Sequence, residues 1–135
     1  MLWIGLTGGI ASGKSSVARV FVRMGIPVVS ADVLAHEVLQ PGSEAAKRVV
    51  ELFGRSVRTK NGGIDRQRLG EIVFADSTGA KLRALEQILH PQVRKRADEL
   101  RKELSRKGYG LAVYEVPLLF EKEMQGLFDK IVCVA

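Results

Sequence analysis

Short apolar runs bounded by turn residues predict four β-strands in this chain. The runs begin at Leu2, Ile26, Leu111 and Lys130, and the last one continues to Ala135. Runs with apolar residues at consecutive positions are typical of strands that are buried on both faces, as in a parallel sheet covered by helices. The pattern therefore indicates an α/β fold.

Between the strands, apolar residues recur every three or four positions, which predicts amphipathic helices. The first helix has its apolar face from Val17 to Met24 and ends near Gly25. Serine and aspartate are common first residues of helices, because their side chains accept from free backbone N–H groups. On this basis, four more helices are predicted: one at 33–39 and one each after Ser43, Asp65 and Asp76.

Two stretches interrupt the helical pattern. The segment 55–64 is polar and contains Asn61-Gly62-Gly63, a strong turn signal, so it predicts an excursion over the surface. Further on, Pro91 disfavours helical backbone at His90 and is well suited to the first turn of a helix. We therefore predict that one helix ends at His90 and that a separate one follows.

The first strand leads into a glycine-rich segment with the spacing G-x-x-x-x-G-K-S, from Gly8 to Ser15. Gly8, Gly9 and Gly13 have no Cβ, so successive backbone N–H groups can surround a phosphate. Lys14 supplies a cation for the β- and γ-phosphates, and the Ser15 hydroxyl is a ligand for Mg²⁺. Because a strand precedes this segment and a helix follows it, the pattern predicts a nucleotide-binding phosphate loop.

Two carboxylates follow predicted strands. Asp32 comes after the second strand and Glu115 lies at the end of the third. The carboxyl ends of parallel strands meet at one edge of a sheet, so Asp32 could orient and deprotonate an acceptor hydroxyl there. It could equally be the N-cap of the helix at 33–39. Glu115, in an apolar run, is the candidate ligand of Mg²⁺, directly or through water.

Composition fits one domain built around this loop. Hydrophobic residues make up 46% of the 135 residues, and no apolar run reaches the roughly 18 residues of a membrane span, so we expect a cytoplasmic protein without membrane contact. The net charge of +6 suits anionic phosphate substrates. Aromatic residues are scattered, so no nucleic-acid partner is expected. Cys133 is expected to be a small buried hydrophobe.

A second interpretation rests on the basic helix predicted at 93–107. Its outer face carries Arg94, Lys95, Arg96, Arg101, Lys102, Arg106 and Lys107. Such a charge run is usually a solvated surface. The alternative is a nucleotide-dependent binding module that uses this helix to contact an acidic partner or nucleic acid.

Taken in order, the motifs resemble the dephospho-CoA kinase family over essentially the whole chain. Beyond the phosphate loop, the most specific segment is Glu115-Val116-Pro117-Leu118-Leu119-Phe120-Glu121. The other segments that carry the resemblance are 6–15, 28–32, 63–66 with Leu69 and Phe74, and His90-Pro91 with Val93.

The resemblance implies a P-loop kinase fold, a parallel sheet flanked by helices, with a helical substrate-binding insertion within 33–108. It also implies a reaction in which ATP, with Mg²⁺, phosphorylates the ribose 3′-hydroxyl of dephospho-CoA to give CoA and ADP. A complete domain of this kind has about 200 residues. We therefore expect that this chain stops before a lid and a last strand, and that alone it is a weak catalyst.

Site residues follow from the same resemblance, position by position. Asp32 takes the role of catalytic base and Lys14 assists the transfer. The ATP phosphates are assigned to Gly8, Gly9, Ile10, Ala11, Ser12, Gly13, Lys14 and Ser15, and the metal to Ser15 and Glu115. Dephospho-CoA is assigned to Thr7, Asp32, Arg66, His90, Pro117, Leu118, Leu119, Phe120 and Glu121. Another nucleoside monophosphate kinase is the alternative enzyme, and the oligomeric state stays open.

Overall fold

A computed structural model describes residues 1–9, 13–117 and 124–134 of the chain. Its strands form one sheet in the order β2-β3-β1-β4, and every neighbouring pair is parallel. This confirms the parallel sheet that the apolar runs predict. The strands are β1 (Leu2–Gly8), β2 (Val28–Ser30), β3 (Leu111–Glu115) and β4 (Lys130–Val134).

The register of the sheet brings the carboxyl ends of the strands to one edge. Leu6 of β1 lies beside Glu115 of β3, and Glu115 lies beside Ser30 of β2. On the other side of β1, Gly8 pairs with Val134. The residues that follow β1 and β2 therefore leave the sheet at the edge where Glu115 stands, as expected for an open parallel sheet.

Five α-helices are present in the described part of the chain. Their first turns confirm the predicted caps at Ser43 and Asp65, whose side chains accept from the N–H groups of Ala46 and Arg68. The helices are α1 (Lys14–Arg23), α2 (Ala31–Val38), α3 (Glu44–Phe53), α4 (Arg66–Ala75) and α5 (Ala80–Arg106). None of these helices combines the length and the apolar character needed to cross a membrane.

The chain divides into two compact units. The first consists of 1–33 and 97–135 and contains the sheet. One face of its sheet packs Leu6 and Val113, both fully buried, with Ala18 of α1. The other face carries Trp3 stacked on Tyr114 at 5.5 Å between ring centroids, with Phe128 beside them. Apolar contacts thus cover both faces of β1 and β3, as their sequence predicts.

The second unit, 34–96, is helical and has its own core. Val49 of α3 and Val57 are fully buried at its centre, together with Leu69 of α4. The buried position of Val57 corrects the prediction that 55–64 only crosses the surface. A short 3₁₀ turn at Arg55–Val57 inserts that side chain into the core.

Pro91 does not end a helix, which corrects the predicted break at His90. It lies inside α5. A proline there leaves the carbonyl of Gln87 without its usual helical partner, but both residues are exposed, so water can satisfy this carbonyl. The turns just before it bury apolar side chains, including Ile88 and Leu89, against the core of the second unit, which favours a continuous helix.

Cys133 is exposed, which corrects the prediction that it is a buried hydrophobe. It lies on β4, which pairs only with β1 and is an edge strand of the sheet formed by the described residues. Its apolar neighbours Val132 and Val134 pack against the core on the opposite face of the strand. An apolar run on an edge strand therefore does not bury every member.

Candidate phosphate and acceptor site

Gly9 and Gly13 are the two glycines between β1 and α1, and the structure describes both. Gly13 has a φ of 89°, a left-handed conformation that residues with a Cβ adopt at a cost. A side-chain carbon at Gly9 or Gly13 would have no heavy atom of the described residues within 4 Å. Among the described residues, no side chain fills the space beside these two glycines.

The N–H groups in the first turn of α1 have no side-chain partner among the described residues. No described side chain caps it, and no acidic residue lies within it. The N-terminus of a helix carries partial positive charge and free donors, so it favours an anion. An anionic phosphate at this position would satisfy both the free donors and the positive charge.

Lys14 and Glu115 meet at the carboxyl edge of the sheet. The Lys14 Nζ lies 3.8 Å from the Glu115 Oε1, and the two side chains are 17% and 21% exposed. Reduced solvation strengthens such a pair compared with ion pairs on the open surface. The lysine and the carboxylate are thus held next to each other, at the start of α1 and at the end of β3.

Oxygen ligands suitable for magnesium are present here. Glu115 supplies a carboxylate, and exposed Ser15 in the first turn of α1 supplies a hydroxyl. Protein sites for Mg²⁺ commonly use one or two such ligands together with phosphate oxygens of the substrate. Within the described ranges, no group of three or more His, Cys, Asp or Glu side chains could hold a metal ion by itself.

Thr7 lies one residue before the glycine-rich segment and is only 5% exposed. It pairs with Cys133 in the register of β1 and β4. No hydrogen bond joins its hydroxyl to another residue of the described ranges, and burying a hydroxyl without a partner costs free energy. Its position and its open hydrogen-bonding capacity suit contact with a polar ligand.

Asp32 lies within the first turn of α2, so the alternative that it caps this helix is wrong. The helix begins at Ala31, and the Ser30 Oγ accepts from the Val33 N–H at 3.4 Å. The Asp32 carboxylate is exposed and makes no hydrogen bond or ion pair with the residues that the structure describes. It is therefore available to a substrate.

Tyr114 responds to the charge of Asp32. Burial is the main reason that the pKa of Tyr114 rises to about 12, and the negative charges of Asp32 and Asp98 raise it further. The phenol therefore stays neutral at physiological pH. Asp32 thus lies close enough to Tyr114, a buried residue of β3, to interact with it electrostatically.

In the second unit, Arg66 opens α4 and contacts a residue that the sequence patterns did not single out. Its Nη1 donates to the Nδ1 of His36, on α2. Both line a cavity of about 220 Å³. The sequence feature that could have pointed to His36 is its position one helical turn after Asp32. His90 is exposed on α5.

Several predicted site residues lie outside the described ranges, so their roles stay predictions. Pro117, just after β3, is described and half-buried. The positions that are not described are Ile10, Ala11 and Ser12 of the phosphate loop and Leu118, Leu119, Phe120 and Glu121 after β3.

Comparison with known proteins gives consistent relatives. The family described as dephospho-CoA kinase matches residues 2–135. A dephospho-CoA kinase from Bacillus licheniformis is 47% identical over 133 residues, which are 98% of this chain and 65% of that protein. A crystal structure of TT1252 from Thermus thermophilus has a TM-score of 0.76 and 38% identity, and covers 99% of this chain and 65% of that one.

The structure of a dephospho-CoA kinase from Campylobacter jejuni gives a TM-score of 0.75 at 28% identity, over 97% of this chain and 64% of that one. These similarities confirm the P-loop kinase type of fold predicted from the motifs. The chain spans about 65% of the length of the relatives that it matches. It belongs to the dephospho-CoA kinase family.

Proposed function

We propose that the full-length protein transfers the γ-phosphoryl group of ATP to the ribose 3′-hydroxyl of dephospho-CoA, giving CoA and ADP. The observation that carries this proposal is the Lys14–Glu115 pair beside the uncapped start of α1, in a chain of this family. The proposal concerns the full-length protein because the chain spans about 65% of its relatives. For the 135-residue chain alone, weak activity stays a prediction.

ATP binding is proposed to use the backbone before the side chains. The N–H groups around Gly13 and in the first turn of α1 receive the phosphates, because no described side chain competes for them. Lys14 then exchanges Glu115 for the β- and γ-phosphates. Its charge offsets the negative charge that accumulates during transfer.

The site also offers oxygens for a magnesium ion. Ser15 and Glu115 would hold it, the carboxylate directly or through water. When bound, Mg²⁺ neutralises charge on the β- and γ-phosphates. Release of Lys14 towards the phosphates leaves the Glu115 carboxylate available for this role.

Asp32 is the proposed catalytic base. It accepts the proton of the acceptor 3′-hydroxyl while that oxygen bonds to the γ-phosphorus. The bond from this phosphorus to the oxygen bridging it to the β-phosphate breaks, and ADP leaves with that bonding pair. The exposed carboxylate without a partner among the described residues supports this role, because a base must reach its substrate.

The residues proposed to bind the acceptor are those that the family resemblance assigns to it. Thr7 would contact the acceptor near the transferred group, because its buried hydroxyl has no partner among the described residues. Arg66 is proposed to bind acidic groups of dephospho-CoA, and His90 and the segment 117–121 are assigned to the same substrate through the family resemblance.

A coupled assay of ADP release by the full-length protein tests this function. We expect turnover with dephospho-CoA and ATP, and little with nucleoside monophosphates. Turnover with a nucleoside monophosphate but none with dephospho-CoA would assign the protein to a different acceptor. ATP binding without turnover on any acceptor would favour a nucleotide-dependent binding module.

A further inference from the structure

The contact between His36 and Arg66 has a definite hydrogen-bonding direction. A guanidinium has donors and no acceptor, so the Nδ1 of His36 must accept from the Arg66 Nη1. The imidazole is therefore neutral, with its proton on Nε2. Only one of the five N–H donors of an arginine is used in this bond, which leaves the guanidinium able to bind another group.

Both side chains line one cavity of about 220 Å³ in the second unit. They are the only titratable or charged residues among the described residues that line it. Its other lining residues are Leu39, Gln40, Pro41, Thr59, Asn61, Gly63 and Ile64. A cavity with apolar walls, several polar groups and one guanidinium suits a ligand that combines an anionic group with neutral parts.

The wall that contains Thr59 is fixed by its own hydrogen bonds. The backbone N–H of Gly63 donates to the Thr59 Oγ1 at 3.0 Å and to the Asn61 Oδ1 at 3.2 Å. On the side of α2, the Gln40 amide donates to the His36 carbonyl at 3.2 Å. The cavity is thus lined by polar groups with fixed partners, while most donors of Arg66 remain available.

We propose that His36 is a positioning residue, which holds the Arg66 guanidinium at this cavity so that it binds the diphosphate of the acceptor. This inference rests on the proposed function, since it concerns acceptor binding by Arg66. A planar guanidinium recognises two phosphate oxygens at once only when its orientation is fixed, and an unanchored arginine loses side-chain entropy on binding. Neutral His36 fixes that orientation without cancelling the positive charge.

A carboxylate in place of His36 would hold Arg66 more tightly but would also neutralise it. The carboxylate that follows His36 on α2 belongs to Glu37, and it pairs with Arg96 of α5 at 3.4 Å. The anion-binding charge of Arg66 is therefore retained. Asp32 lies on the same helix, four residues before His36.

The test is steady-state kinetics of the full-length protein and of the variants His36→Ala, His36→Asn and Arg66→Ala. For His36→Ala we expect the KM for dephospho-CoA to rise about 10-fold, with the kcat and the KM for ATP changed less than about twofold. His36→Asn, whose amide oxygen can accept from Arg66, restores most of the affinity. Arg68→Ala is the matched control, because Arg68 lies on the same helix and pairs with Glu71 at 3.3 Å.

The double variant, which combines His36→Ala with Arg66→Ala, separates positioning from mere stability. Because His36 acts through Arg66, this double variant should have the same KM as Arg66→Ala alone. A KM that His36→Ala leaves unchanged, or that the double variant raises additively, contradicts the proposal.

Failure of this inference and failure of the proposed function give different results. If the wild type does not phosphorylate dephospho-CoA, the proposed function fails. If it does, and Arg66→Ala raises the KM while His36→Ala does not, only the positioning role fails. Thermal unfolding of each variant identifies a folding defect, and equilibrium binding of dephospho-CoA to the folded variants then gives the affinity without catalysis.

Discussion

The helices of this chain begin in two different ways. In the second unit, α3 and α4 start with Ser43 and Asp65, whose side chains accept from backbone N–H groups of the first turn. In the first unit, α1 starts with Gly13 and no described side chain accepts from its first turn. The first kind of start satisfies its donors from within the chain, while the second leaves them for a ligand.

The same contrast extends to charge. The first turn of α3 contains Glu44, which suits the positive end of a helix. The first turn of α1 contains Lys14 instead, whose like charge is unfavourable there until an anion binds. Glu115 offsets part of that cost in the absence of ATP. A helix start that is poor for stability supports the proposed phosphate site at α1.

Lys14→Ala tests the start of α1, where we propose that phosphates bind, and it should have the largest effect. Removing the ammonium that is proposed to contact the β- and γ-phosphates should lower kcat/KM for ATP by at least ~10³-fold. The fold should persist, because Lys14 contributes little to the core. Steady-state kinetics and circular dichroism of the full-length variant measure both. Activity within a few-fold of the wild type would refute the phosphate-loop assignment.

Asp32→Asn tests whether a residue in the first turn of α2 serves chemistry or stability. Asparagine keeps the shape but cannot take the proton, so kcat should fall by ~10²-fold with ATP affinity unchanged. Kinetics and nucleotide titration give these values. Should the variant keep its kcat and lose only thermal stability, Asp32 would be a structural residue of α2.

Ser15→Ala compares two serines at helix starts, with Ser43 as the matched position. The loss of the Ser15 hydroxyl should raise the Mg²⁺ concentration for half-maximal activity by about 10-fold, a usual scale for weakened metal sites. Stability should not change, since Ser15 is exposed and caps nothing. Activity measured against Mg²⁺ concentration gives the result. An unchanged Mg²⁺ dependence would remove Ser15 from the metal site.

Ser43→Ala is the complementary change, with the smallest expected effect. The Ser43 Oγ accepts from the Ala46 N–H at 3.1 Å, so its loss should lower the free energy of unfolding by about 1 kcal/mol. The kcat should stay as in the wild type. Urea unfolding and the kinetic assay measure the two quantities. A drop in kcat at full stability would mean that the contrast between the two serines is wrong.

Local signals in the sequence predicted the first unit well. The strand at 111–115 and the edge that brings Glu115 next to Lys14 follow from apolar runs and from the position of the glycine-rich motif after β1. These features depend on residues close together in the sequence and on the general rule that parallel strands end at one edge. Little long-range information is needed for them.

The second unit was predicted less well because packing overrides local preferences there. Pro91 favours a helix break, but the apolar contacts of α5 before it outweigh that preference. Val57 lies in a polar segment, and only the tertiary fold shows that it is buried. The contact of His36 with Arg66 joins residues 30 apart, which no local pattern contains.

The most direct test of the central claim is ³¹P NMR of the product that the full-length protein forms from dephospho-CoA, ATP and Mg²⁺. We predict a new phosphomonoester resonance assigned to the ribose 3′ position, formed in step with ADP and absent with Lys14→Ala. A phosphate on any other position, or ATP consumption that leaves dephospho-CoA unmodified, would contradict the proposed reaction.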